Sequence, residues 1–110
     1  TMAYQGYAQG LGADPIAALH ALVLGALQPD LTLILDTPAE LGLRRSAERR
    51  GTAQRYESMG QEFHAKVRDG FLDIARRNPA RCLVIDATQP VDQVASAIRA
   101  ALVSRLGLDL

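Results

Sequence analysis

Tryptophan is absent from this 110-residue chain, and cysteine occurs once. No apolar run approaches the roughly 20 residues that a membrane-spanning helix needs. Each absence excludes something. With Cys82 alone no internal disulfide can form, and a zinc cluster has no evident ligand set. Within Cys82-Leu83-Val84-Ile85 the thiol reads as a small buried hydrophobe in a reducing compartment, so a cytoplasmic location is expected. No stretch reads as a signal peptide, and no internal repeat or low-complexity tract is present. Neither charge is in excess: Lys+Arg and Asp+Glu both number 12, and the pI is near 6.6. That balance argues against whole-surface attraction to nucleic acid or anionic lipid.

What is there is an apolar chain, 48% hydrophobic but only 5% aromatic, which suits an Ala/Leu-rich α/β or all-α domain. Residues 1–13, with Gly6, Gly10 and Gly12, read as a loop, or a helix end followed by a loop. Asp14-Pro15 supplies an N-cap with proline at the first helical position. Ile16, Leu19, Val23, Ala26 and Leu27 then repeat at helical spacing, predicting an amphipathic helix that stops before Gln28-Pro29-Asp30. Leu31-Thr32-Leu33-Ile34-Leu35 predicts a short strand buried on both faces. Thr37-Pro38-Ala39-Glu40 is a capping box opening a second helix, and Ser58-Met59-Gly60-Gln61 is another. After it, Phe63, Val67, Phe71 and Ile74 mark one face of a long helix ending near Asn78-Pro79. Leu83-Val84-Ile85-Asp86 reads as a second buried strand. A last helix follows Gln89-Pro90, with Val91, Val94, Ile98, Ala101 and Leu102 on one face.

Two apolar strands separated by helices imply parallel pairing through a crossover. Two such strands make an incomplete sheet, since parallel sheets are normally larger and covered by helices on both sides. Either the chain pairs with further strands, or it is the C-terminal half of a doubly wound α/β domain. The second is the expectation. The opening Thr1-Met2-Ala3-Tyr4-Gln5-Gly6 agrees with it, reading like the middle of a domain.

The chemistry concentrates in residues 44–57, which hold five of the eleven arginines and no lysine. Guanidinium is planar, permanently charged and able to grip a phosphate through two parallel hydrogen bonds. The same residues suit a solvated helix face, and residue types alone leave both readings open. Ligands of doubly wound sheets bind beyond the carboxyl ends of strands, which here means Asp36-Thr37-Pro38 and Asp86-Ala87-Thr88-Gln89-Pro90. Both acids equally suit the capping of the turn that follows. His20 and His64 have no partner acid at clear spacing and are not expected to act as bases.

Taken together these pieces resemble one family. Thr1-Met2-Ala3-Tyr4-Gln5-Gly6, Pro29 to Asp36, Leu43-Arg44-Arg45 through Arg55-Tyr56-Glu57, Phe63 to Leu72 and Val84 to Pro90 are similar, in that order, to the thymidylate (dTMP) kinases. The closest likeness is to the bacterial type with an arginine-rich lid. The resemblance covers essentially the whole chain. It implies the C-terminal half of a P-loop nucleoside-monophosphate-kinase fold, with a lid at about residues 44–57 and the family's N-terminal phosphate-binding half missing from these residues. It further implies phosphorylation of dTMP by ATP with Mg2+, in a homodimer with no nucleic-acid or membrane partner. Carried over by position, Thr1, Tyr4 and Gln5 would line the thymidine pocket, and Arg45 would lie over the adenine of ATP. Ala87, Thr88, Gln89 and Pro90 would flank that adenine, while Arg49 and Arg55 would reach the transferring phosphates as catalytic arginines. No protein metal ligand is implied. The family's lid has an acid where this chain carries Gln54, which leaves Glu57 as a pairing candidate for Arg55; Arg44 and Arg50 match less well. Two other classes compete: an arginine-rich nucleic-acid-binding module using residues 44–55, and a catalytically dead dimerisation fragment that associates through the helix from Pro15 to Leu27.

Overall fold

Two parallel strands form the frame of the computed structural model, which describes residues 1–49 and 60–110, with Arg49 described by its backbone. Strand β1 is Thr32–Asp36 and β2 is Cys82–Asp86, paired in register from Thr32 against Cys82 to Asp36 against Asp86. The pairing brings the two strand-ending aspartates side by side. Around the strands run a π-helix, Met2–Ala8, and four α-helices: α1 Ala13–Leu24, α2 Ala39–Arg49, α3 Gln61–Arg77 and α4 Val91–Leu106. The predicted α/β order is the observed order.

Helix α3 is the centre of the packing. It contacts both strands, α2 and the π-helix, while α4 packs against β2. Ile34, Ala75 and Cys82 are the buried cluster, with Ile74 against them, so the lone cysteine does occupy the core. Side chains alternate across a strand. Ile34 therefore points to one face and Ile85 to the other, and both are buried.

The strands are not buried on both faces, as their apolar runs predicted. Leu35 is 49% and Val84 40% exposed, because the helices cover only part of each face of a two-stranded sheet. Helix α1 departs further. Ile16 is buried, but Leu19, Leu22, Val23 and Leu24 are exposed, and Leu27 of the predicted stripe lies beyond the helix end. Its apolar face thus has little to pack on among the described residues. On α4 the predicted face holds at Ala101, whereas Val91, the first residue, is exposed.

Helix starts differ by a residue or two. Helix α1 begins at Ala13 with Gly12 as its cap rather than Asp14, and Gly12 has φ 89°, a conformation that favours glycine. Asp14 sits instead in the first turn, where a negative charge complements the helix dipole. Pro15 is tolerated there because first-turn N–H groups have no partner within the helix. Helix α2 begins after Pro38, whose carbonyl accepts from Gly42 N–H at 3.0 Å. Thr37 Oγ1 donates to Pro38 O at 3.5 Å, a long contact on the near side of the helix. Gly60 caps α3, and Ser58 of the predicted capping box lies outside the described residues.

Residues 1–13 resolve into the predicted helix end and loop, but the helix is of the wide π type, with Gln9 N–H donating to Tyr4 O at 2.8 Å. Single π turns are uncommon and recur at functional sites. His20 is a structural tie: it pairs with Leu27 O at 2.8 Å and lies 3.2 Å from Gln28 Nε2, bracing the connection from α1 to β1.

Candidate functional site

The carboxyl ends of β1 and β2 carry Asp36 and Asp86, and the helices around them supply the partners. After β2 the chain turns sharply. Asp86 Oδ1 accepts from Thr88 N–H at 2.9 Å and from Thr88 Oγ1 at 2.6 Å. These bonds hold the Asp86 carboxyl below the usual carboxylate range, and Gln89 adds a further hydrogen bond. Turn formation is therefore what Asp86 does, and it sets the carbonyls of Ala87 and Thr88 that follow.

Those carbonyls are taken by Arg45. From α2 its Nη1 donates to Ala87 O at 2.6 Å and its Nη2 to Thr88 O at 3.4 Å. The family resemblance implied one adenine subsite for Arg45 and residues 87–90, and the structure brings Arg45 onto that loop, 42 positions from Ala87. Pro90 lies where α4 begins, as its cap residue. Arg44, one position away, is exposed. Arg49 is the last residue of α2, and its side chain, like Arg55, Gln54, Arg50 and Glu57, lies outside the described residues.

Asp36 is engaged differently. Arg68 of α3 grips it through Nε at 2.8 Å and Nη2 at 3.1 Å, a two-pronged contact with the pair partly exposed. The carboxylate pushes the Arg68 guanidinium above the usual arginine range. Sequence reasoning flagged Asp36 and passed over Arg68. A signal existed: Arg68 follows buried Val67 and precedes Phe71 by three, which puts a cation on the edge of the inward stripe of α3.

Beside this pair is a cavity of about 240 Å³ lined by Tyr4, Asp36, Pro38, Leu43, Arg68 and Phe71 among others. Tyr4 reaches it from the π-helix, its ring 6.0 Å from that of Phe63 and 6.4 Å, edge-on, from that of Phe71. His64 also lines it, edge-on to Phe63 at 5.4 Å. Thr1 does not. It lines a second hollow of about 690 Å³ between α1 and the end of α3, with Met2, Tyr7, Leu19 and Arg77. Gln5 is half-buried and continues the π-helix, its N–H donating to Thr1 O at 2.8 Å. Of the three residues expected in one nucleoside pocket, Tyr4 and Gln5 lie on the π-helix and Thr1 is its cap, and Tyr4 and Thr1 line different cavities.

A further contact that the sequence did not signal fixes that helix. Tyr7 OH donates to Asp73 of α3, which also accepts from Arg76 and, at 3.0 Å, from Arg77 Nε. The hydrogen bond from Tyr7 holds the Asp73 carboxyl below its usual range, with Arg77 and Arg76 adding to it; the same bond raises the Tyr7 phenol.

A family profile described as thymidylate kinase matches residues 1–98 of the chain. A thymidylate kinase of Caulobacter vibrioides is 56% identical over 108 residues, covering 98% of this chain and 51% of that protein. One from Pseudomonas putida is 49% identical over 102 residues, covering 93% and 49%, and one from Geotalea uraniireducens is 44% identical over 111 residues, covering 96% and 52%. The chain spans about half the length of the curated relatives it matches.

Proposed function

The chain belongs to the thymidylate kinase family, and from that premise we propose that it is the lid-bearing and adenine-flanking part of an enzyme that transfers the γ-phosphoryl group of ATP to dTMP. The observation that carries the reading is the bridge from Arg45 to Ala87 O and Thr88 O, which joins the start of the lid to the loop expected beside adenine. A guanidinium whose N–H groups are engaged by carbonyls would keep its flat face for stacking on a base.

Phosphoryl transfer asks for positioning and neutralisation more than for a protein base. An oxygen of the dTMP phosphate attacks the γ-phosphorus of ATP, the bond to the β-phosphate oxygen breaks, and dTDP and ADP leave. Arg49 and Arg55 would contact the charge that develops on the transferred group. The arginines keep their charge throughout and take no proton.

Magnesium would arrive bound to the phosphates of ATP. Among the described residues no three His, Cys, Asp or Glu side chains are grouped to hold an ion, and Asp36 and Asp86 already serve Arg68 and Thr88. These residues do not fit a metal site, and no described side chain is proposed to hold one.

The edge of β1 that is unpaired among the described residues, and the exposed apolar face of α1, support two further parts of the reading: completion of the sheet by other strands, and a homodimer. A cytoplasmic enzyme acting on dTMP and ATP, with neither nucleic acid nor membrane as partner, fits the balanced charge and the absence of any helix long and apolar enough to cross a membrane among the described residues.

The test is a coupled ADP-release assay on the full-length protein with dTMP as acceptor. Arg49→Ala should lower kcat by about 100-fold or more, the scale of losing one preorganised cationic donor. An unchanged kcat would remove Arg49 from the site. The 110-residue chain by itself is expected to give no turnover, since it contains no Gly-rich loop ending in Lys-Ser or Lys-Thr to cradle the phosphates.

A further inference from the structure

The π-helix that carries Tyr4 is attached to α3 by a contact that the reaction itself does not require. Two features of that contact are unusually demanding. Gly70 lies against the Tyr7 ring so closely that a Cβ at position 70 would meet Tyr7 Cβ and Cγ at 2.9 Å. Only glycine permits this approach, and Gly70 is buried. One turn further along α3, Asp73 Oδ2 accepts the Tyr7 hydroxyl and pairs with Arg77, while Arg76 holds Oδ1. The Asp73 side chain is 15% exposed, so the anchor sits in a partly dry seam. Tyr7 is thus fixed at both ends, its ring by Gly70 and its hydroxyl by Asp73.

Tyr4 lies three residues before Tyr7 on the same short helix, and its ring packs on Phe71, the residue next to Gly70. A shift of the π-helix along α3 would therefore move both tyrosines together. We propose that Tyr7, Gly70 and Asp73 form a positioning clamp that sets the place of the Tyr4 ring, and so determine how the nucleoside of the acceptor monophosphate is bound. The clamp touches neither substrate. It acts by fixing the depth at which Tyr4 enters the cavity beside Asp36 and Arg68, and it rests on the reading of Tyr4 as a nucleoside contact. Arg45 and the loop after β2 lie outside it, so the ATP side should not sense it.

The experiment uses the full-length protein and measures KM for dTMP, KM for ATP and kcat separately. Tyr7→Phe keeps the ring and removes the hydroxyl. It should raise KM for dTMP about fivefold, the scale of one lost hydrogen bond, and leave KM for ATP and kcat within twofold. Asp73→Ala should do the same, and Asp73→Asn, which keeps an acceptor for the Tyr7 hydroxyl, should restore most of the loss. If Tyr7→Phe fails to fold, the Asp73→Asn against Asp73→Ala comparison decides. Gly70→Ala adds only a methyl group and should raise KM for dTMP by displacing Tyr7.

Equal changes in both KM values, or a fall in active fraction with both KM values unchanged, would mean a purely structural contact and overturn the clamp. An unchanged KM for dTMP in all variants overturns it as well. A wild-type protein without dTMP-dependent turnover overturns the functional reading and the clamp with it; an active wild type with silent variants overturns the clamp alone.

Discussion

The two ends of the site are held in opposite ways. The π-helix meets α3 over a broad seam, with Tyr7 wedged against Gly70, its hydroxyl on Asp73, and Tyr4 leaning on Phe63 and Phe71. Among the described residues, helix α2 is hydrogen-bonded to the loop after β2 through Arg45 and two carbonyl oxygens. The first attachment combines apolar burial, shape and hydrogen bonding, so it resists sliding. The second consists of two hydrogen bonds to groups that water can also satisfy, and such bonds exchange at small net cost. On the proposed function, the π-helix that carries Tyr4 would stay put while the Arg45 contact could let go, the division of labour that closure over a substrate would need.

The largest expected effect comes from forcing the tight seam. Gly70→Ala should destabilise the full-length protein by about 1–3 kcal/mol through overpacking, read as a drop in the midpoint of chemical unfolding. The sign is informative, because alanine for a helical glycine otherwise stabilises by ~1 kcal/mol. A gain in stability would show that Tyr7 gives way freely and that the seam is no tighter than the lid contact.

Next is the loose end. Arg45→Ala should raise KM for ATP about tenfold while leaving KM for dTMP alone, as expected for two lost charge-assisted bonds at a half-exposed position. Arg45→Lys should recover little, since an ammonium offers a point charge where two separate carbonyls are met by a planar fork. Full recovery with lysine would reduce Arg45 to its charge.

Between the two ends sits the Asp36–Arg68 pair, part of neither attachment. Arg68→Ala should cost roughly 1 kcal/mol or less, because the pair is partly exposed and screened, and the difference from wild type should shrink in high salt. A larger, salt-insensitive loss would make Arg68 a component of the rigid seam.

The smallest effect is a pH dependence. The Tyr7 phenol is raised above its ordinary 10.0 chiefly by its hydrogen bond to Asp73. Stability from this bond is therefore fully present below pH 10.0 and lost as pH rises through the folded-state value, because ionised Tyr7 has no proton to donate. Unfolding midpoints above pH 10 should fall faster in wild type than in Tyr7→Phe. Parallel curves would contradict the bond.

Much of this frame was legible in the chain itself. Pro29-Asp30 before an apolar run, Asp86 after one, and Asn78-Pro79 at the end of α3 are local signals, and each sits where the structure has a boundary. That Arg45 and the loop after β2 belong together came only through the family resemblance; their contact is long-range and no local signal marks it. The Tyr7–Asp73 bond spans 66 residues, and Gly70 reads in sequence as a weak point of a helix, so only the packed structure shows that one makes room for the other. The exposure of Leu22 and Val23 was equally hidden, because periodicity reveals that a face is apolar without revealing what covers it.

The most direct measurement crosses the two ends: KM for dTMP and KM for ATP, each determined for wild type, Tyr7→Phe and Arg45→Ala in the full-length protein. The expected result is two separable effects, with Tyr7→Phe moving only the dTMP value and Arg45→Ala only the ATP value. If either variant shifts both values together, the site is not divided into a fixed acceptor end and a tethered donor end, and the account fails.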